Sequence, residues 1–360
     1  MIVRIAAAII LLGGFTGLVL FMANTENADP AATEPGGARS ETLILSSASD
    51  CAGCHPAVYA EWKESWHARA WFDPLVRAPD QSDNFKKKDC IPCHAPRPIF
   101  EAGIGPGERV IERQANRQDG VDCLACHRLP EGGFAAGSRD AQGPCGPTFH
   151  RGMITTALCT PCHNQHNTVD EWNASPENLR GENCNHCHYP PVKRPGRKDG
   201  PEREGRSHRL CSWRNENLDM TPLTYRTHLV GAGEDRKIRV RLINDRTPHN
   251  VPADSRNRAL DLVLTFIDAG GQPFPAADGK RKYGREPGTY RLRFRNPYRS
   301  EIGQKNTQIV AGTEAVLEAP VPAGAIRAKI KVLYKLTPFS PDDEAITIRS
   351  EEIDLREEDG

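Results

Sequence analysis

Five short segments of the chain share the pattern Cys-x-x-Cys-His, and together they use ten of its twelve cysteines. Two thiols separated by two residues can hold one metal ion or attach at two points to one flat group. The histidine that follows brings an imidazole nitrogen to the same place, where it can bind a metal from one side. The five segments are Cys51–His55, Cys90–His94, Cys123–His127, Cys159–His163 and Cys184–His188.

Covalent haem attachment requires this spacing. The two thiols form thioethers with the two vinyl groups of one haem, and the adjacent imidazole becomes the proximal ligand of its iron. A zinc site needs no histidine directly after the second cysteine, and a thioredoxin-like redox pair would occur once rather than five times. The sequence therefore predicts five covalently bound haem c groups. The predicted attachment cysteines are Cys51, Cys54, Cys90, Cys93, Cys123, Cys126, Cys159, Cys162, Cys184 and Cys187, and the predicted proximal ligands are His55, His94, His127, His163 and His188.

The distal ligands of these irons are expected to be histidines. Seven histidines remain outside the proximal positions, whereas only four methionines occur in the chain and two of them lie within the first 22 residues. His166 follows His163 by three residues, so it could serve only a neighbouring haem, and His186 lies inside a motif and is the poorest candidate. The distal candidates are His67, His150, His166, His208 and His249.

The composition agrees with an interior filled partly by cofactors. Aromatic residues make up 6% of the 360 residues and the mean hydropathy is −0.58, which leaves little apolar side-chain mass for a core. The formal net charge is zero, so nothing indicates nucleic-acid binding. The basic run Lys193–Lys198 is predicted to be a solvated loop, with contact to haem propionates as the alternative.

The N-terminal residues predict export. Arg4 precedes an uncharged stretch from Ile5 to Ala23, which is long for a signal peptide and lacks a clear small-x-small cleavage site. We therefore favour a membrane anchor over a removed signal peptide for residues 1–23, followed by a flexible linker over residues 24–44. In both cases we expect the remainder on the periplasmic side of the inner membrane, anchored or soluble after export.

Two cysteines, Cys145 and Cys211, lie outside the motifs. In an oxidising compartment we expect them to form a disulfide, and two free thiols are the alternative.

The pattern of the chain changes after the last motif. Residues 45–229 predict a mainly α-helical and irregular pentahaem domain with a haem-filled core. Residues 230–360 lack cysteine and alternate apolar with polar side chains, as in Ile238, Val240 and Leu242, which predicts an all-β antiparallel, Ig-like sandwich. No catalytic constellation is evident in it, so we expect a structural or partner-docking role. His249 could be a haem ligand or a loop histidine.

The motif segments also resemble a known family. The stretch CAGCHPAVYAEWKESWHARA from Cys51 resembles the first haem segment of the cytochrome c-554-like multihaem family, which is related to hydroxylamine oxidoreductase. Gly120–His127 is similar to a further haem site of that family, and Asn183–Pro190 is similar to its terminal block, with Tyr189 where methionine is common. The resemblance implies that His67, in a Ser-x-His-Ala element, and His208, in a Ser207-His208 pair after the last motif, are distal ligands. Residues 247–253 resemble a Gly-His-x-x-Pro-Thr-Gly signature that opens a β-domain. Pro248 replaces its first glycine and Ala253-Asp254 replaces its Thr-Gly, so the resemblance implies a weaker case for His249.

These features predict a periplasmic pentahaem c-type cytochrome that transfers electrons through closely packed, mostly bis-histidine haems. We expect an electron-transfer protein rather than an enzyme, with a quinol-linked membrane complex or another cytochrome as redox partner. Two alternatives stay open. One is a multihaem oxidoreductase with one open haem that acts on a small nitrogen or sulfur compound, although no Cys-x-x-Cys-Lys motif occurs. The other is a polymerising conductive cytochrome in which a neighbouring subunit supplies a distal histidine.

Overall fold

The computed structural model describes residues 45–73, 87–214, 222–253, 258–274, 289–297 and 301–356. The anchor or signal peptide predicted over residues 1–23 and the linker predicted over residues 24–44 lie outside these ranges. Within them, no helix has both the length and the apolar character that a membrane crossing needs.

Short helices carry the five motifs. Four of these helices end at the motif histidine, because the Cys-x-x-Cys-His segment forms one helical turn that presents both thiols and the imidazole on one side. Asp122 starts one of them by accepting the backbone N–H of Ala125 at 2.8 Å. The α-helices are α1 Ala48–Ala52, α2 Pro56–Glu64, α3 Lys87–His94, α4 Cys123–His127, α5 Thr160–His163, α6 Thr168–Asn173, α7 Pro176–Leu179 and α8 Cys184–His188, with 3-10 turns at Ala70–Phe72, Ile99–Glu101, Arg117–Asp119, Arg151–Ile154, Thr156–Leu158 and Gly233–Asp235.

Small sheets join the motif helices. Strands β1 (Phe134–Ala136) and β2 (Pro147–Phe149) pair in parallel, whereas β3 (Pro191–Pro195) and β4 (Glu202–Arg206) form an antiparallel hairpin. The prediction of a solvated loop at Lys193–Lys198 is therefore wrong for its first half. Arg194 lies in β3 with its side chain 11% exposed, because it is ion-paired with Glu61.

The C-terminal part consists of two antiparallel sheets. One has the strand order β5-β6-β9 and the other the order β11-β10-β7-β8. The predicted alternation is seen in β6, where Ile238, Val240 and Leu242 are buried and the intervening arginines pair with glutamates of β9. The strands are β5 Thr224–Val230, β6 Lys237–Ile243, β7 Ala259–Asp268, β8 Thr289–Phe294, β9 Glu314–Pro320, β10 Ala325–Lys335 and β11 Ile346–Asp354.

The apolar core lies between these two sheets. Leu242 of β6, Leu262 of β7 and Ile330 of β10 belong to one cluster of buried side chains, all of whose members lie at residue 223 or later. The motif-bearing part has mostly small or isolated buried apolar groups, such as Ala95, Ala125 and Trp172. The large apolar cluster of buried side chains therefore does not extend to the motifs.

Candidate haem centres

Three pairs of histidine rings face each other across the motif-bearing part. The ring centroids are 6.1 Å apart for His67 and His163, 6.4 Å apart for His127 and His208, and 6.4 Å apart for His188 and His249. The interplanar angles are 33°, 26° and 14°. Each pair joins one motif histidine to one histidine from elsewhere in the chain.

This separation fits an iron held between two imidazoles. An imidazole nitrogen binds a metal at about 2 Å and lies about 1 Å from its ring centre, so two ligands in line have ring centres roughly 6 Å apart. Two rings in van der Waals contact would lie closer together, at about 4.5 Å in the tightest aromatic pairs. The residues present therefore fit the haem iron that the motifs predict.

Backbone carbonyls orient the imidazoles. When the Nδ1 of a ligating histidine donates to a carbonyl, the proton is held on that side and Nε2 keeps its lone pair for the metal. Five of the histidines make such a bond at 2.5–2.9 Å. The donors and acceptors are His55 to Gly196, His94 to Ala70, His127 to Ala135, His188 to Cys211 and His208 to Arg206.

Burial keeps these rings in the neutral form that binds metals. Desolvation, with the neighbouring His163, lowers the pKa of His67 to about 3. Desolvation and the neighbouring His127 lower the pKa of His208 to about 4. Burial also lowers the pKa of His127 and of His188, although the carbonyl that each one contacts opposes this.

His67 is held by the segment before the third motif. Its carbonyl accepts the N–H of Val121 at 2.9 Å, and Val121 in turn accepts the indole N–H of Trp62 at 2.8 Å. Gly120 makes this approach feasible, since it has φ +61° and a Cβ there would lie 2.3 Å from the His67 oxygen. The glycine of the Gly120–His127 segment is therefore required by the position of His67.

We expect Gly120→Ala to displace His67 and to lower the free energy of unfolding by roughly 3 kcal/mol, because the added methyl group must push a backbone carbonyl aside. Denaturant unfolding and the optical spectrum of the haem-loaded protein measure the two effects. Gly146→Ala is the control, since Gly146 has the same φ of +61° but nothing within 4 Å of an added Cβ. It should cost only about 1 kcal/mol and leave the spectrum unchanged. Equal losses in both variants would show that the contact with His67 is unimportant.

His249 reaches the fifth motif from the β part. Its carbonyl accepts the side-chain amide of Asn244 at 3.0 Å. The next residue, Asn250, donates from its backbone and its side chain to the two carboxylate oxygens of Glu171 at 2.8 and 2.7 Å. Glu171 lies on α6, so the same short segment both presents His249 and joins the β part to the motif-bearing part.

The other distal candidates are placed differently. The Nδ1 of His150 accepts the N–H of Gly152 at 3.1 Å, and the ring lies edge-on to Phe100. His186 likewise accepts the N–H of Asn183 at 2.9 Å and caps α8. An accepting Nδ1 leaves the proton of a neutral ring on Nε2, the atom that would bind iron. His166 belongs to none of the three opposed pairs, and His228 is an exposed residue of β5.

Thiols of different motifs also lie in contact. Cys51 touches Cys123, Cys93 touches Cys162, and Cys159 touches Cys184. The first motif is thus next to the third, and the fourth is next to both the second and the fifth. The attachment edges of neighbouring macrocycles would therefore lie together.

The prediction of a Cys145–Cys211 disulfide is wrong. Both residues are free thiols in the structure. Cys145 lies near the first motif, and burial together with Cys51 and Cys54 raises its pKa. Cys211 lies near the fifth motif, and burial together with Cys187 raises its pKa. The backbone of Cys211 serves the fifth motif, since its N–H donates to the carbonyl of His188 at 3.0 Å.

Two carboxylates of this site were not predicted from the sequence. Glu61 and Glu171 contact the segments that carry His208 and His249, and both lie on short helices beside a buried tryptophan. A charged residue adjacent to Trp62 or Trp172 is the only sequence signal, and it is weak because one face of such a helix is normally solvated.

The motif helices, the opposed imidazoles and their carbonyl contacts define a multihaem c-type cytochrome. Residues 50–128 match the family model described as Cytochrome c554 and c-prime. This match supports a multihaem c-type cytochrome, as the resemblance of the motif segments implied. A search of curated proteins finds no significant match.

Among solved structures, the chain is similar to a penta-heme cytochrome c552 from Thermochromatium tepidum. The TM-score is 0.63 at 19% identity, and the alignment covers 86% of this chain and 99% of that one. The two proteins therefore share a fold over the aligned part of the chain. An X-ray structure of Northeast Structural Genomics Consortium target SoR45 aligns over 37% of this chain and 84% of its own at 10% identity, and its TM-score of 0.17 is too low to indicate a shared fold.

Proposed function

We propose that this chain is a periplasmic electron carrier with five haem c groups, three of which have two histidine ligands. The opposed pairs His67–His163, His127–His208 and His188–His249, with their ring centroids 6.1–6.4 Å apart, are the observation that carries the proposal. Haem c, when bound, supplies an iron that changes between the ferric and ferrous states and so stores one electron. Two neutral imidazoles favour a low reduction potential compared with a histidine–methionine pair.

The protein contributes attachment, orientation and exclusion of water. Ten motif cysteines can fix five groups, and the sulfur contacts between motifs bring these groups together. The carbonyls of Ala135 and Cys211 accept the Nδ1 protons of the proximal His127 and His188, which fixes the rotation of each ring about its Cβ–Cγ bond. Little rearrangement is then needed when the charge at a site changes, which suits an electron carrier.

A second candidate function follows from the first two motifs. The three opposed pairs of the described residues include neither His55 nor His94. The alternative function is an oxidoreductase in which one of these haems keeps an open position for a small nitrogen or sulfur compound. His150 and His166 remain proposals for the distal ligands of these two motifs if the protein is an electron carrier. His150 could bind iron through Nε2 only after its Nδ1 releases the N–H of Gly152.

We infer that the C-terminal part is an Ig-like sandwich that acts as a structural brace. Its two sheets, β5-β6-β9 and β11-β10-β7-β8, share one core, and the strand order follows the Greek-key connections of such folds. It presents His249 to the fifth motif, so its role includes supplying a ligand. The partners proposed for the protein are a quinol-linked membrane complex or another cytochrome, in keeping with the uncharged N-terminal stretch.

The test uses the haem-loaded full chain and three single variants, His67→Ala, His208→Ala and His249→Ala. We expect each variant to gain one high-spin haem and one carbon monoxide-binding site relative to the parent, because an axial imidazole is lost. Electron paramagnetic resonance and carbon monoxide difference spectra measure this, and intact mass gives the number of haems. The parent spectrum separates the two functions, since an electron carrier with six-coordinate irons ignores carbon monoxide and nitrite.

His228→Ala is the matched control, because His228 is an exposed histidine of β5. It should leave every haem unchanged. If the three variants kept all their haems low-spin, the proposed ligation would be incorrect. A mass corresponding to fewer than five haems in a correctly matured protein would contradict the proposed haem count.

A further inference from the structure

Helix α2 buries a carboxylate. Glu61 is 7% exposed, whereas Lys63 and Glu64 on the same helix are exposed. A carboxylate loses its hydration when it is buried, so it persists inside a protein only with charged or hydrogen-bonding partners. The partners of Glu61 therefore show what the residue does.

Each oxygen of Glu61 has a different partner. Oε1 accepts the Nε–H of Arg194 at 2.7 Å, and the two side chains are 9% and 11% exposed. Oε2 accepts the backbone N–H of His208 at 2.9 Å. These partners are 133 and 147 residues away in the sequence, so the carboxylate joins α2 to the hairpin β3–β4 and to the residue that faces His127.

A single carbonyl closes this network. The oxygen of Arg206 accepts the Nδ1–H of His208 at 2.9 Å and also a guanidinium N–H of Arg194 at 3.0 Å. Glu61 therefore fixes the main chain of His208 directly. Through Arg194 it also fixes the Arg206 carbonyl, which sets the rotation of the imidazole ring about its Cβ–Cγ bond. The guanidinium also draws electron density from that carbonyl, which makes the carbonyl a weaker acceptor for the imidazole proton.

We propose that Glu61 is a positioning residue for the axial histidine opposite His127, and that its charge helps to set the reduction potential of the haem on Cys123 and Cys126. This inference rests on the proposed function, because it takes His208 as a ligand of that haem. A buried negative charge stabilises the ferric state, which carries one more positive charge than the ferrous state. Removal of this charge should therefore raise the potential of one haem and leave the others in place.

The experiment is a redox titration of the full haem-loaded chain, followed optically and by electron paramagnetic resonance. Glu61→Gln keeps the size of the side chain but removes its charge. We expect the oxidised-to-reduced ratio of one haem, at a fixed solution potential, to fall about tenfold, which is 59 mV for a one-electron couple. The low-spin resonance of that same haem should shift, because the His208 ring is less firmly held.

Glu64→Gln is the matched control. Glu64 lies one turn further along α2 and pairs only at the surface with Arg209, both side chains being 57% exposed. It should move no potential. A Glu61→Gln protein whose haem potentials all match the parent, or whose shift is reproduced by Glu64→Gln, would overturn the proposal.

A second variant, Arg194→Lys, tests the proposal if the Glu61→Gln protein does not fold or bind its haems. Arg194→Lys keeps the positive charge but cannot bridge the carboxylate and the Arg206 carbonyl in the same way. It should shift the resonance of the same haem, and an unchanged resonance would contradict the proposal. The His208→Ala variant distinguishes failure of the proposed ligation from failure of the role of Glu61. If His208→Ala yields a high-spin haem while Glu61→Gln and Arg194→Lys change neither potential nor resonance, His208 is a ligand and only the role of Glu61 is rejected.

Discussion

Replacing Cys159 and Cys162 with alanine should remove one haem and unfold much of the motif-bearing part. The fourth motif touches the second through Cys162 and Cys93, and the fifth through Cys159 and Cys184. The large buried cluster lies entirely at residue 223 and beyond, so few side chains near the motifs can close the resulting gap. Truncation of a buried Phe or Trp to Ala costs about 3–5 kcal/mol, and loss of a whole macrocycle should exceed this.

Intact mass and thermal unfolding of the purified variant measure this result. The mass should fall by one haem, and the helical far-ultraviolet signal should be lost at a lower temperature than in the parent. Cys145→Ala is the control, because Cys145 is a free thiol outside the motifs. It should retain the parent mass and nearly the parent melting temperature. A double variant that kept the parent mass would show that these cysteines do not attach a haem.

The sequence could predict the elements of the centres that depend on local spacing. The Cys-x-x-Cys-His segments indicated both thiols and the proximal imidazole, since all three groups lie on one helical turn. The resemblance of two segments to a known family implied His67 and His208, and both face a motif histidine in the structure. His249 also lies opposite a motif histidine, although its segment departs from the family signature at Pro248.

The supporting contacts could not be predicted, because they join residues that are far apart in the chain. Glu61 meets Arg194 across 133 residues, and Glu171 meets Asn250 across 79. Neither carboxylate belongs to a motif. The requirement for Gly120 likewise depends on where the His67 carbonyl lies, and no local pattern reports that position.

In the β part, too, the elements that depend on distant neighbours could not be predicted from the sequence. Strand β6, with the clear apolar alternation of Ile238, Val240 and Leu242, was predicted as a strand. Strands β5 and β9 were not, because β5 is mostly polar and β9 buries only Leu317 and Ala319. Glu314 and Glu318 of β9 pair instead with arginines of β6 on the solvated face. A sheet that is solvated on one face depends on its neighbours for register, and single-strand composition does not contain that information.

Replacing Asp261 with alanine should destabilise the β part by about 3–5 kcal/mol, because Arg291 and Lys335 would lose their buried carboxylate and keep only Asp342, and Arg293 would lose its ion pair. Asp261 lies on β7 with a fully buried side chain. Its carboxylate accepts from Arg291 at 2.5 Å and from Arg293 at 2.7 Å. Lys335, whose side chain is 4% exposed, lies 3.9 Å away. Asp342 contacts Arg291 and Lys335 from a half-exposed position, so it cannot replace the lost charge inside the sheet.

Urea unfolding of the full haem-loaded chain, followed by circular dichroism in the β region, measures this loss. Glu352→Ala is the matched comparison, since Glu352 on β11 pairs with Arg327 where the side chains are 42% and 39% exposed. An exposed pair contributes about 0–1 kcal/mol, so this variant should unfold close to the parent midpoint. Similar midpoints for Asp261→Ala and Glu352→Ala would mean that water reaches the Asp261 cluster and solvates its cations. A larger loss for Asp261→Ala is the expected result, because the side chain of Asp261 is fully buried whereas that of Glu352 is exposed.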